Sequence, residues 1–133
     1  MDFGSVNLIA ALLAAVAFFA LGGVWYGPVF GKLWMRESGI SEAQAAESNM
    51  AALFGGTLVL ELIAAFGLAA LIGADSSAAA GAQLGLWVGL LIVVPALAVL
   101  ALYERRSAIL WALNSGYNLL GFVVMGAIIG AMQ

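Results

Sequence analysis

Four long apolar runs, separated by short polar segments, organise the chain. They extend from about Val6 to Tyr26, Met50 to Ile72, Ala79 to Leu102 and Ala108 to Met132. A helix that crosses a bilayer needs roughly 20 apolar residues in succession, and each run reaches that length. A closed β-barrel also satisfies every backbone group in lipid, but its strands alternate apolar and polar positions. These runs are continuously apolar and rich in Ala, Leu and Gly. The pattern therefore predicts an all-α membrane protein, a single domain over residues 1–133 with four transmembrane helices. The segment before the first run, MDFGSVN, has no positive charge. The run itself exceeds the ~7–15 residues of a signal-peptide core, so it reads as a retained span.

The longest polar segment, WYGPVFGKLWMRESGISEAQAAESN, joins the first two runs. Gly27 and Pro28 are expected to end the first helix, because proline cannot continue the hydrogen-bond ladder. Phe30, Leu33 and Trp34 then recur at i, i+3 and i+4, which predicts a short amphipathic helix lying in the headgroup region of the first cytoplasmic loop. Ser41 followed by Gln44 is a capping-box pattern. It predicts a helix that starts near Ser41 and runs straight into the second span. Lys32 and Arg36 lie in this segment, and Arg105 and Arg106 lie between runs three and four. No Lys or Arg occurs at either end of the chain or in the ADSSAA turn. Basic loops stay in the cytoplasm, so both termini are expected on the outer face. Trp25, Tyr26, Lys32, Trp34, Arg105 and Arg106 are the candidate headgroup contacts.

Lipid gives helices no hydrophobic reason to associate, so small residues and polar contacts hold them together. The third run carries Gly81, Gly85 and Gly89, and the fourth carries Gly126 and Gly130, all at GxxxG spacing. These ridges permit close helix contact, either within one chain or with a second copy. The expected partners are the lipid bilayer and further copies of the chain in a homo-oligomer. A larger membrane complex docked through the glycine faces is the alternative. Pro95 lies inside the third run and predicts a kink.

Composition narrows the chemistry. Apolar residues make up 65% of the chain and charged residues 8%, against about 45–50% and 25% in an ordinary globular domain. So few charges cannot cover a water-facing surface. A net charge of −3 with four Lys and Arg argues against a nucleic-acid partner. There is no Cys and no His. That removes thiolate catalysis, the commonest metal ligand and the commonest general base. No phosphate-cradling glycine loop is present. The basic edge (Trp25, Tyr26, Lys32, Glu104, Arg105, Arg106) offers no nucleophile–base pair. The expectation is a non-enzyme without metal or cofactor.

One residue breaks the apolar pattern. Glu61 falls eleven residues into the second run, about 16 Å deep at 1.5 Å per residue and so near the bilayer midplane. A carboxyl there is costly unless protonated or partnered. Thr57, Ala64 and Ala65 share its helix face, small or polar neighbours that suit a protein-facing side. The fourth run supplies candidate partners at the same depth: Asn114 and Asn118 on one face, with Tyr117 beside them. Glu61, Thr57, Asn114, Tyr117 and Asn118 are therefore the candidate ligand or proton site, and a Glu61–Asn118 contact, joined by Tyr117, is geometrically easy. Three readings stand side by side. Glu61 is a hydrogen-bonded link between helices, a proton- or cation-responsive site of a protein that moves or senses a small solute, or part of a site for a ligand or lipid headgroup.

Two segments carry a family resemblance. The WYGPVFGKLWM stretch, Trp25 to Met35, resembles the WYSP-FGK-W signature of a bacterial membrane family catalogued as domain of unknown function 1761. The stretch from Tyr103 to Gly130 resembles that family's C-terminal part, with its pattern carried by Asn114, Gly116, Tyr117, Asn118, Met125 and Gly126. Where the signature has Ser after the Trp-Tyr pair, this chain has Gly27 and lacks the hydroxyl. The resemblance implies a small four-span protein of the bacterial inner membrane and no assigned activity.

Overall fold

Each span begins where a short polar side chain can accept the first unpaired amides of a helix. Asn7 accepts from the amides of Ile9 and Ala10, Asn49 from Ala52, Ser77 from Ala80 and Ser107 from Leu110. A computed structural model describes residues 1–133, with helices α1 (Leu8–Val24), α2 (Gly31–Ser38), α3 (Glu42–Ala46), α4 (Met50–Ile72), α5 (Ala78–Val88), α6 (Val94–Tyr103) and α7 (Ala108–Met132). Wide π turns at Trp25–Val29 and Gly89–Val93 extend α1 and join α5 to α6. The four spans are thus Leu8–Val29, Met50–Ile72, Ala78–Tyr103 and Ala108–Met132. The chain is a four-span helical membrane protein.

Two local expectations fail. Gly27 and Pro28 do not end the first helix. They sit inside the first π turn, where the Phe30 amide reaches back to the Trp25 carbonyl at 2.8 Å. The wider turn relieves the clash between the proline ring and the carbonyl four residues earlier. Pro95 is accommodated in the same way, just after the second π turn. The helix that starts at Ser41 has the expected capping box, but it stops at Ala46 instead of entering the second span. Asn49 offers its side chain as a new cap, and a fresh helix starts at Met50.

The short helix α2 does more than lie at the surface. Glu37 near its end accepts a hydrogen bond from the Ser107 hydroxyl at 2.8 Å, and Ser107 caps α7. A carboxylate at a helix N-terminus also favours the positive end of the helix dipole. Glu37 therefore ties the first loop to the fourth span.

Helix α7 is the hub, packed against α1, α4, α5 and α6. Its closest neighbour is α5, and the glycines explain why. A Cβ on Gly81 or on Gly126 would strike the other's backbone carbonyl. A Cβ on Gly85 would strike the Phe122 carbonyl, and one on Gly130 the Ser77 carbonyl. Gly89 lies against Leu119. The glycine ridges of the third and fourth spans therefore meet each other within one chain. On the other side of α7, Ala10, Ala11, Ala14, Ala15 and Phe18 of α1 pack with Ala65, Leu68 and Ala69 of α4 and with Met125 and Ile129.

The end that carries the termini is closed by hydrogen bonds. The Gln133 amide nitrogen donates to the carbonyls of Ala69 (3.0 Å) and Gly73 (2.7 Å). Its amide oxygen accepts from the Asn7 amide at 3.1 Å, and the Asn7 side chain donates to the Met132 carbonyl at 3.1 Å. Phe3 stacks on Phe66 with ring centres 5.7 Å apart. The opposite end, which holds the basic loops, has no such clasp between α1 and α4.

Helix contact through the glycine ridge makes a testable distinction. Gly81→Ala should destabilise the protein by about 1–3 kcal/mol through overpacking. Gly56→Ala, where a Cβ meets nothing, should be neutral or stabilising by roughly 0.5–1 kcal/mol from helix propensity. Thermal unfolding of the two variants in detergent checks the pair, and equal losses contradict the crossing.

Candidate functional site

The second and fourth spans both start at the basic-loop end, so residues equally far along them lie at equal depth. Glu61 is eleven residues beyond Met50 and Tyr117 nine beyond Ala108, which places both roughly 14–16 Å in. The side chains meet there. The Tyr117 hydroxyl donates to Glu61 Oε1 at 2.6 Å and lies 3.2 Å from the Phe18 carbonyl of α1. Glu61 is 5% exposed, so this contact is sheltered from lipid. One hydroxyl thus links three spans.

The phenol has one proton and two acceptors within reach, and the carboxyl can resolve that mismatch. When Glu61 carries a proton, its own O–H can point at the Tyr117 oxygen, and the tyrosine proton is released to the Phe18 carbonyl. When Glu61 is charged, Tyr117 donates to it. The pair therefore has a hydrogen-bonded arrangement in either protonation state. Glu61 Oε2 is buried without a partner, as is the Ser115 hydroxyl.

The expected Glu61–Asn118 contact does not form, whereas Tyr117, expected beside it, meets the carboxyl. Asn118 is rotated about 100° around α7 from Tyr117. Its amide donates to the Asn114 carbonyl one turn earlier, at 2.8 Å. The longer tyrosine side chain reaches across instead. Asn114 faces the first span, where its oxygen accepts from the Tyr26 hydroxyl at 2.7 Å. Thr57 donates to the Leu53 carbonyl of its own helix at 2.7 Å and makes no contact with the carboxyl.

Aromatic rings continue the site toward the basic-loop end. Phe18 stacks on Tyr117 at 4.7 Å, Tyr117 meets Tyr26 edge-on at 5.2 Å, and Tyr26 meets Trp34 at 6.2 Å. Sequence reasoning did not single out Phe18, Gly22 or Gly121. A Cβ on Gly22 would come 2.8 Å from the Tyr117 hydroxyl, and one on Gly121 would enter the Phe18 ring. Those two glycines make room for the rings. Their signal in the sequence was spacing opposite an aromatic, which is visible only when the facing helix is known.

Beside this row lies a groove of about 770 Å³ between the first span, α2 and α3 and the first half of α4. Phe19, Tyr26, Trp34, Phe54, Thr57 and Tyr117 are among its walls. Phe19 and Phe54 meet edge-on across it at 5.8 Å. Tyr117 therefore faces the groove on one side and Glu61 on the other. A smaller cavity of about 300 Å³ lies beyond Trp34, against Glu104, Arg106, Trp111 and Asn114.

The residues expected at the headgroups divide into two sets. Lys32, Arg105 and Arg106 are exposed. Trp25, Tyr26 and Trp34 are half-buried and turned inward. The Trp25 indole donates to the Leu113 carbonyl at 3.1 Å, because the π turn rotates it onto α7. No three acidic side chains come together as a metal site.

The Glu61–Tyr117 contact can be measured. Tyr117→Phe strands a buried carboxyl and should cost about 1–3 kcal/mol. In a double-mutant cycle with Glu61→Gln, the two changes should couple by roughly 0.5–3 kcal/mol in unfolding experiments. Additive effects contradict a direct bond.

No curated protein and no solved structure matches the chain. A family model described as "Protein of unknown function (DUF1761)" matches residues 9–130. That stretch includes Glu61, Tyr117 and every wall of the groove, and the chain belongs to this family of membrane proteins of unknown function.

Proposed function

We propose that the protein is a non-catalytic, proton-responsive binding protein of the bacterial inner membrane, which moves or senses a small solute held in the groove beside Tyr117. The observation that carries this reading is the double role of Tyr117, whose side chain lines the groove and whose hydroxyl is bonded to Glu61. A solute that displaces or polarises the phenol changes the hydrogen bond that Glu61 receives. The proton on Glu61 and the occupancy of the groove are then linked, and each biases the other by the same factor.

The open and closed ends support the same reading. The groove lies in the half of the protein nearest the basic loops, which the positive-inside rule assigns to the cytoplasm. The opposite end is fastened through Gln133 and Asn7. Access to the site is therefore from the cytoplasmic half of the membrane. Self-association belongs to the proposal as well. The ridges of α5 and α7 are occupied within the chain, so a second copy is offered the outward face of α4, where Val59, Leu60 and Ile63 are exposed.

Infrared difference spectroscopy of the reconstituted protein tests the link. The carboxyl band lost in Glu61→Gln identifies Glu61. That band should respond to pH, and Tyr117→Phe should shift it. A band unchanged by pH and by a panel of cationic, neutral and anionic aromatic solutes, together with a Glu61→Gln protein as stable as the parent, reduces Glu61 to a link between helices.

A further inference from the structure

The walls of the groove set the charge of what can occupy it. Five of its fourteen lining residues are aromatic: Phe19, Tyr26, Trp34, Phe54 and Tyr117. None is Lys, Arg, Asp or Glu. The nearest acid is Glu61, bonded to the far side of the Tyr117 hydroxyl at 2.6 Å. An anion in this groove meets the negative faces of the rings and finds no counter-charge. A cation meets ring faces that attract it and a carboxylate one hydroxyl away. The volume, about 770 Å³, lies in the range of ~300–1,000 Å³ that small-molecule sites occupy. It is far too large for a bare metal ion, and no cluster of metal-ligating side chains is present.

We infer that the groove takes a hydrophobic organic monocation, a quaternary or protonated amine with an apolar body, whose charged centre lies against Tyr117 with Glu61 as its counter-charge. The inference rests on the reading that the groove is a solute site. Met50, Leu53 and Ile40 cover the apolar body, and the ring row from Trp34 to Tyr117 offers successive positions for the charge. Binding and protonation are exclusive at Glu61. A protonated carboxyl plus a cation gives a carboxylate, a bound cation and one proton released to water.

Few other groups can substitute for Glu61. Tyr117 of α7 faces it directly, with Tyr26 of the first span behind that ring. α4 and α5 bring no other ionisable side chain to this depth. Lys32, Arg36, Arg105 and Arg106 all lie exposed at the loop end.

Equilibrium dialysis of the full chain in lipid nanodiscs, against empty nanodiscs, tests the class of ligand. The probes are benzyltrimethylammonium and its uncharged carbon isostere, neopentylbenzene. The cation should bind roughly tenfold tighter than the isostere, and its binding should release a proton and strengthen as pH rises. Glu61→Gln should abolish both the preference and the proton release. Trp34→Leu, on the groove wall, should weaken the cation several-fold and leave the isostere unchanged, which keeps the test sound if Glu61→Gln folds poorly. Equal binding of cation and isostere overturns the cationic class while leaving a solute site in place. Failure of both probes to bind, with the Glu61 carboxyl band still responsive to pH, overturns it too. Failure of both with a silent band removes the solute site as well.

Discussion

The backbone crossing of the third and fourth spans governs the rest of the molecule. In lipid, two helices gain from contact chiefly through close packing and polar bonds. Gly81 and Gly126 allow each helix to approach the other's carbonyl, and Gly85 and Gly130 extend the contact along the crossing. This fastens α7 to α5 along one side. The other side of α7 is left to receive α1 and α4, and the Glu61–Tyr117 contact is made there.

On that second side the packing is uneven along the membrane normal. Near the termini, alanines of α1 and α4 meet over Met125 and Ile129, and small side chains let the helices close. Toward the basic loops, bulky aromatics replace alanine. Phe19, Tyr26 and Phe54 hold the first two spans apart. The groove is thus a consequence of residue size along two helices. It ends where Phe18 and Tyr117 stack over Gly121, directly beside the carboxyl. A costly buried acid, an aromatic row and a cavity therefore share one location.

Several polar contacts within this frame join different helices. Tyr117 links α4 to α7 and touches α1, Tyr26 links the first span to Asn114, and Glu37 links α2 to the start of α7. Bonds of this kind contribute only about 0.6–2 kcal/mol each in a membrane. Their value lies in register: they set which residues stand at the same depth, and packing supplies the bulk of the stability. The chain's membership of a family of unknown function gives no activity to this arrangement, so its chemistry has to be read from the arrangement itself.

Some of this was legible in the chain alone. Span number and approximate extent follow from run length, because the bilayer demands about 20 apolar residues and tolerates no unpaired backbone. Ser41 and Gln44 mark the start of α3 by their capping box, and Glu61 stands out because charge is expensive at its depth. Other features depended on what lies opposite. Asn118 and Tyr117 are adjacent in sequence and about 100° apart around the helix, so only the rotation of α7, set by its glycine crossing with α5, decides which one meets Glu61. The π turn that absorbs Pro28 turns Trp25 and Tyr26 inward, and it is stabilised by their contacts with Leu113 and Asn114 of α7, beyond the local sequence. Depth, charge and span number are one-dimensional properties that a sequence states directly. The groove, the aromatic row and the partner of Glu61 are relations between faces, and only the packed helices determine them.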